Sequence, residues 1–210
     1  MANQIRKIKE KSSYFSWCRK LASMPDMFRS IKTKAFLLVP LIVSIIIAAF
    51  FTIGYSLTTI LALPFSFGFA LPIRLLGVLV LVSGLLLFGW LFKYRKPVDI
   101  LISTYVTLLK VRRRARLEKP LGRTEPFVAQ GPYRYVRHPL YLGVILLVLG
   151  WWLLLDYNFL LVSAILLLLW FNFVVAPFEE EELVAMFGEQ YEQYSKEVPR
   201  IIPSTKQREK

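Results

Sequence analysis

Residues 35–62 read AFLLVPLIVSIIIAAFFTIGYSLTTILA, a run that contains no charged side chain. The uncharged stretch is longer still, because no Asp, Glu, Lys or Arg stands between Lys34 and Arg74. A helix needs roughly 20 apolar residues to cross a bilayer core about 30 Å thick. This stretch therefore predicts a transmembrane helix at 35–62.

A second apolar region lies nearer the C-terminus, where Asp156 is the only charged residue between His138 and Glu179. The 210-residue chain is 56% hydrophobic and 20% charged, whereas soluble proteins average about 45–50% apolar residues. We predict an all-α integral membrane protein with about four transmembrane helices and additional cytoplasmic amphipathic helices. The spans are placed at 35–62, 75–92, 140–155 and 159–176.

The basic residues indicate the orientation of these spans. Nine Lys and Arg residues lie in 1–34 and twelve in 93–137, but the connection between the first two spans has only Arg74. Cytoplasmic segments carry the excess of Lys and Arg. The pattern therefore predicts that both termini and 93–137 are cytoplasmic, with residues 63–73 forming a loop or re-entrant turn on the far side.

Three regions follow from this reading. Residues 1–34 form a basic interfacial segment, either an amphipathic helix broken near Pro25 or a disordered tail. Residues 35–97 hold the first two transmembrane helices. Residues 98–210 hold a cytoplasmic helix at 98–117, a transmembrane hairpin and a C-terminal motif region.

Composition also limits the kinds of partner that we expect for this protein. The net charge of +13 sits next to apolar spans, which favours contact with anionic lipid over nucleic acid. No obligatory protein partner is evident. His138 is the only histidine and Cys18 the only cysteine, so we expect no metal site. Walker loops, serine nucleophile elbows and G-x-G-x-x-G are absent from the sequence.

The most informative segment is Gly131–Gly143, which reads GPYRYVRHPLYLG and combines two Arg, three Tyr and the single His at the mouth of the hairpin. Glu179–Glu182, four consecutive carboxylates, follow the return helix. Polar groups at the edge of the hydrocarbon usually mark a functional site. From the residues alone, two readings stay open: a site for a zwitterionic ligand, or a basic membrane anchor beside a solvated acidic helix.

The order of these motifs resembles the isoprenylcysteine carboxyl methyltransferase family, which is related to the phospholipid methyltransferases. The likeness covers about residues 125–203. It rests on G-P-Y-x-Y-x-R-H-P-x-Y-x-G, then Glu179-Glu180, Leu183, Phe187-Gly188, Tyr191, Tyr194 and Val198-Pro199-Arg200. The resemblance implies an S-adenosylmethionine-dependent membrane methyltransferase, with S-adenosylhomocysteine as product and a lipid or lipidated acceptor at the cytoplasmic face.

The resemblance also implies roles for individual residues, although it assigns no catalytic base. The cofactor-binding set consists of backbone groups of Phe127 and Val128, the lining residues Tyr133, His138, Pro139, Leu140 and Tyr141, and the carboxylates Glu179 and Glu180. Glu179 is expected at the polar end of the cofactor. Arg137 and Arg200 are candidates for binding the acceptor.

One departure from the family concerns the acceptor. Prenylcysteine enzymes typically have an arginine four residues before the first glutamate, and this chain has Val175 there. A carboxylate acceptor would lack that partner unless Arg137 or Arg200 replaces it. Two other classes stay open: a membrane sterol-type reductase, whose usual Asn and Glu are here Leu140 and Val144, and a non-enzymatic membrane protein.

Overall fold

The computed structural model describes residues 25–112 and 127–203. These residues form helices and connecting segments, and no strand occurs among them. A short 3₁₀ helix spans Gly131–Arg134, and a π-helical segment, Phe171–Val175, joins the fifth and sixth helices. The seven α-helices are α1 Pro25–Ile60, α2 Leu71–Tyr94, α3 Pro97–Arg112, α4 Pro139–Leu155, α5 Asn158–Trp170, α6 Ala176–Phe187 and α7 Glu189–Glu197.

The four predicted apolar segments are helical, which confirms the all-α membrane fold. Within residues 25–112 and 127–203, three stretches are long and apolar enough to span a bilayer, namely Thr33–Ile60, Leu71–Tyr94 and Asn158–Phe187. The helix Pro139–Leu155 is apolar but shorter, and its 17 residues rise about 26 Å at 1.5 Å each. The chain is therefore an integral membrane protein with three to four spanning helices.

The boundaries differ from the predicted ones at several places: α1 ends at Ile60 and α2 begins at Leu71, where 62 and 75 were predicted. The fourth span was predicted to end at Ala176, but helical structure continues from Asn158 to Phe187, because the π-helical segment connects α5 and α6 without a break. Of the predicted cytoplasmic helix 98–117, the described part is α3, which begins at Pro97 and ends at Arg112. The predicted amphipathic segment before Pro25 lies outside the described residues.

Glycines allow α2 and α4 to approach each other closely. A Cβ added at Gly77 would lie 2.7 Å from the backbone nitrogen of Leu154, and one at Gly150 would lie 2.8 Å from the backbone nitrogen of Leu81. Small residues at such contacts maximise van der Waals packing where lipid removes the hydrophobic drive for association. The α2–α4 pair therefore forms a tight unit that presents the start of α4 to the site.

Hydrogen bonds join the connection between α1 and α2 to the connection between α4 and α5, at the C-terminal end of α4. The Asp156 carboxylate accepts hydrogen bonds from the backbone N–H groups of Phe67 (3.0 Å) and Phe69 (2.8 Å). The Asn158 side chain donates to the carbonyl of Pro64 at 2.7 Å. Asp156 and Asn158 are both buried and tie the 61–70 connection to the hairpin.

Candidate functional site

The site forms around the start of α4, where a proline and a glycine set the backbone. Pro139 occupies the first turn of the helix, a position that tolerates its missing N–H. His138, immediately before it, has φ −120° and ψ 68° and so lies outside the helical region, as is usual before proline. Gly131 has φ +60°, and a Cβ there would collide with the ring of Tyr94.

The C-terminal segment Val198–Ile201 docks against this turn through its backbone. The carbonyl of Pro199 accepts the N–H of Arg137 at 2.9 Å, and the carbonyl of Arg200 accepts the N–H of His138 at 3.0 Å. Val198 and Ile201 are both buried. The two ends of the sequence motif are thus held together by main-chain hydrogen bonds.

Glu180 lies at the centre of a cluster of charged side chains. Its Oε1 is 2.9 Å from Arg137 NH1 and 3.0 Å from Arg200 Nε, and its Oε2 is 2.7 Å from Arg200 NH2. The Arg200 pairing is bidentate, the geometry in which arginine binds carboxylates most specifically. Both oxygens of Glu180 are therefore occupied by partners within the protein.

His138 is placed between two carboxylates. Its Nε2 is 3.2 Å from Glu180 Oε1, and its Nδ1 is 3.4 Å from Glu179 Oε2. Burial alone would lower the pKa of His138, but hydrogen bonds and charge attraction from Glu179 and Glu180 outweigh that effect and raise the pKa above its ordinary value of 6.5. The arrangement favours the protonated imidazole.

An aromatic stack supports the histidine ring from α4 and from the π-helical segment. Tyr141 lies 5.1 Å from His138 and 4.4 Å from Phe171, measured between ring centroids, with interplanar angles of 10° and 5°. Tyr141 and Phe171 belong to the buried core of the protein. The His138 ring is thus held by carboxylates at its nitrogens and by a ring at its face.

A cavity of about 410 Å³, open to the surface, is lined in part by the residues that immediately precede Gly131 in the sequence. That volume is within the range of roughly 300–1,000 Å³ for small-molecule sites. Its lining residues are Tyr94, Phe127, Val128, Ala129, Gln130 and Gln190.

One lining residue of this cavity, Phe127, rests on aromatic side chains of α6 and α7. Phe127 packs against Phe187, Tyr191 and Tyr194, with ring centroids 5.2 to 6.2 Å apart. The hydroxyl of Tyr194 donates to the backbone carbonyl of Tyr133 at 2.7 Å, so α7 connects the cavity with the motif turn. The Tyr191 side chain is 2% exposed, and burial raises its pKa to about 12.

The structure brings together most residues that the sequence singled out. Six lie in the charged cluster and the aromatic stack: Arg137, His138, Tyr141, Glu179, Glu180 and Arg200. Phe127 and Val128 line the cavity, and Tyr133 joins the motif turn to α7. Pro139 is buried and Leu140 packs against the core.

Two residues that contribute to the site were not predicted from the sequence. Phe171 completes the stack, and the backbone carbonyl of Asn172 accepts a hydrogen bond from Arg200 NH1 at 3.0 Å. The sequence feature that could have pointed to this region is Asn172, a polar residue in an apolar run that is followed five positions later by Pro177.

Comparison with known proteins locates a match over this part of the chain. Residues 121–190 match the family model for phospholipid methyltransferases. Protein-S-isoprenylcysteine O-methyltransferase of Schizosaccharomyces pombe is 46% identical over 77 residues, which cover 36% of this chain and 32% of that protein. Methanethiol S-methyltransferase of Crocosphaera subtropica is 37% identical over 73 residues, 34% of this chain and 27% of that protein. The chain thus matches about a third or less of the length of these relatives.

Proposed function

Because residues 121–190 of this integral membrane protein match the family model for phospholipid methyltransferases, we propose that it transfers a methyl group from S-adenosylmethionine to a lipid-like acceptor at the cytoplasmic face. The observation that carries the proposal is the position of His138, which has a carboxylate within 3.4 Å of each ring nitrogen. The two halves of the motif, separated by a transmembrane hairpin, meet at this residue.

The cofactor would bind between the cavity and the charged cluster. Backbone groups of Phe127 and Val128 border a cavity of suitable volume, and Glu179 offers a carboxylate for the amino group of the cofactor. The side chain of Glu179 is 29% exposed, whereas that of Glu180 is 12% exposed and is held by two arginines. Glu179 is therefore the carboxylate that we assign to the cofactor, and Glu180 the one that supports His138.

S-adenosylmethionine supplies an electrophilic methyl group on a positively charged sulfur. The protein would hold this cation with carboxylates and aromatic faces, because cations are attracted to the faces of aromatic rings. Tyr94 and Phe127, the two aromatic residues that line the cavity, are assigned this role, since Tyr141 is stacked with His138 and Phe171. Catalysis would rest mainly on aligning the acceptor with the methyl group and excluding water.

The charged cluster favours an acceptor without a carboxylate. Val175 stands where prenylcysteine enzymes keep an arginine, and Arg137 and Arg200 are both paired with Glu180. A carboxylate would have to compete with Glu180 or lie unpaired, and an unpaired charge in a partly dry site costs at least a few kcal/mol. The proposed acceptor is therefore a neutral or amine-bearing amphiphile, such as a phospholipid headgroup, reached from the cytoplasmic leaflet.

An amine acceptor must lose a proton before or during transfer. Of the carboxylates that follow Glu179, Glu180 is paired with arginines and Glu182 is buried, whereas Glu181 is exposed. Glu181 is thus the residue that we assign to proton exchange with water.

Methyl transfer to defined acceptors tests this proposal. Purified protein is incubated with radiolabelled S-adenosylmethionine and one acceptor at a time: aminophospholipid vesicles, a farnesylated cysteine analogue or a short alkanethiol. The alkanethiol is included because two relatives are named for methanethiol. We expect label on the lipid amine, and none with His138→Ala. Base-labile methyl ester on farnesylcysteine, or a methyl thioether, with nothing on the lipid would contradict the proposed acceptor.

A further inference from the structure

Arg200 connects three parts of the protein through one guanidinium group. Its Nε and NH2 bind the two oxygens of Glu180, and its NH1 donates to the backbone carbonyl of Asn172. Arg200 itself lies in the docked segment Val198–Ile201. The C-terminal segment is therefore joined both to α6 and to the π-helical segment before it.

The carbonyl of Asn172 is open to Arg200 because of the local helix geometry. In the π-helical register the N–H of Ala176 donates to the carbonyl of Phe171. The residue that would donate to Asn172 in the same register is Pro177, which has no N–H. The unused carbonyl accepts Arg200 instead, so the π-helical segment and the arginine form a matched pair.

Glu180 transmits this contact to His138. Arg200 Nε and His138 Nε2 are both within 3.2 Å of the same oxygen, Glu180 Oε1. Arg137 NH1 approaches that oxygen from the motif turn at 2.9 Å. With Glu180 clamped in this way, Nε2 of His138 has a fixed partner, and Nδ1 remains directed at Glu179.

We propose that Arg200 is a positioning residue: it acts on the site through Glu180, which it holds in the orientation that fixes the ring of His138, and it does not bind the cofactor or the acceptor itself. The consequence for cofactor binding rests on the proposed function. The hold that Arg200 exerts on the His138 ring through Glu180, called the clamp below, does not rest on that function, because it is a property of the protein alone.

A double-mutant cycle separates action through Glu180 from direct contact with a ligand. Arg200→Gln and Glu180→Gln should each weaken binding of S-adenosylhomocysteine by roughly tenfold, and the double variant should be no weaker than Glu180→Gln alone, because residues in one network are not additive. Lys196→Gln removes an exposed positive charge four residues earlier and should bind like the unaltered protein. Effects of the two single variants that multiply in the double variant would overturn the proposal.

The imidazole signal of His138 gives a readout that needs no ligand, because it is the only histidine in the chain. In histidine-labelled protein, the ring resonance should move in Arg200→Gln and in Glu180→Gln, and the double variant should match Glu180→Gln. Arg200→Lys, which keeps the charge but cannot pair in bidentate fashion, should restore the resonance only in part.

The two readouts distinguish the possible failures. An unmoved His138 resonance in Arg200→Gln, equal to that of Lys196→Gln, would contradict the clamp whatever the activity. A moved resonance in a protein that binds no S-adenosylhomocysteine would support the clamp and contradict the proposed function. Should Arg200→Gln not fold, Arg200→Lys and Glu180→Gln carry the same comparison.

Discussion

Nε2 of His138 lies 3.2 Å from Oε1 of Glu180, although 42 residues separate them in the sequence. The intervening residues form the α4–α5 hairpin, which leaves the site and returns to it. The hairpin therefore brings a basic turn and an acidic helix to one surface. This closure explains why the similarity to known methyltransferases is concentrated in residues 121–190.

Removing either partner of the His138–Glu179 contact should weaken cofactor binding. A hydrogen bond to a charged group contributes about 1.5–3 kcal/mol, equivalent to roughly 10- to 150-fold in affinity. We expect His138→Ala and Glu179→Ala each to reduce S-adenosylhomocysteine affinity within this range, as measured by calorimetry. Glu192→Ala, which removes an exposed carboxylate on α7, is the control, and an equal loss in Glu179→Ala and Glu192→Ala would mean that only bulk negative charge matters.

The raised pKa of His138 predicts how stability depends on pH. A group whose pKa is higher in the folded state contributes stability that is fully present below its unfolded value, about 6.5, and is lost as the pH rises through the folded value. The unaltered protein should therefore lose thermal stability relative to His138→Gln as the pH increases above about 6.5. The melting temperatures of the two proteins are measured at a series of pH values. A difference between them that stays constant above a pH of about 6.5 would show that the Glu179 and Glu180 contacts do not favour the imidazolium.

The close packing of α2 on α4 gives a prediction for stability. Gly150→Ala would place a methyl group 2.7 to 2.9 Å from atoms of Leu81, including its backbone nitrogen, and overpacking of this kind costs about 1–3 kcal/mol. Gly89→Ala is the matched control, because nothing lies within 4 Å of the added methyl. Unfolding in detergent should show destabilisation by Gly150→Ala only, and equal stability of the two variants would refute the helix contact.

The proposed orientation can be tested with single cysteines in a Cys18→Ser background. Ser66→Cys should react with an impermeant thiol reagent in intact cells, whereas Lys96→Cys and Gln193→Cys should react only after permeabilisation. All three positions are exposed, unlike Asn158, whose burial makes it a poor reporter. Labelling of Lys96→Cys from outside would invert the orientation derived from the basic residues.

The apolar helices and the meeting of His138 with Glu179 could be predicted from the sequence, because hydrophobic length and hairpin topology determine them. The clamp formed by Arg200 could not, since it depends on a register change in the helix before Pro177 and on a docked C-terminal segment. The burial of Asp156 could not be predicted from the sequence for a similar reason. Its partners are backbone groups of a connection almost 90 residues away, and backbone donors have no signature in sequence.

The central claim, that this membrane protein uses S-adenosylmethionine, is tested most directly by calorimetric titration of detergent-purified protein with S-adenosylhomocysteine. We predict saturable binding of S-adenosylhomocysteine that is weakened by His138→Ala and not by Glu192→Ala, and no binding of NADPH under the same conditions. Saturable binding of NADPH without any binding of S-adenosylhomocysteine would identify a reductase instead. Binding of neither ligand by folded protein would also contradict the claim, and would favour a non-enzymatic role.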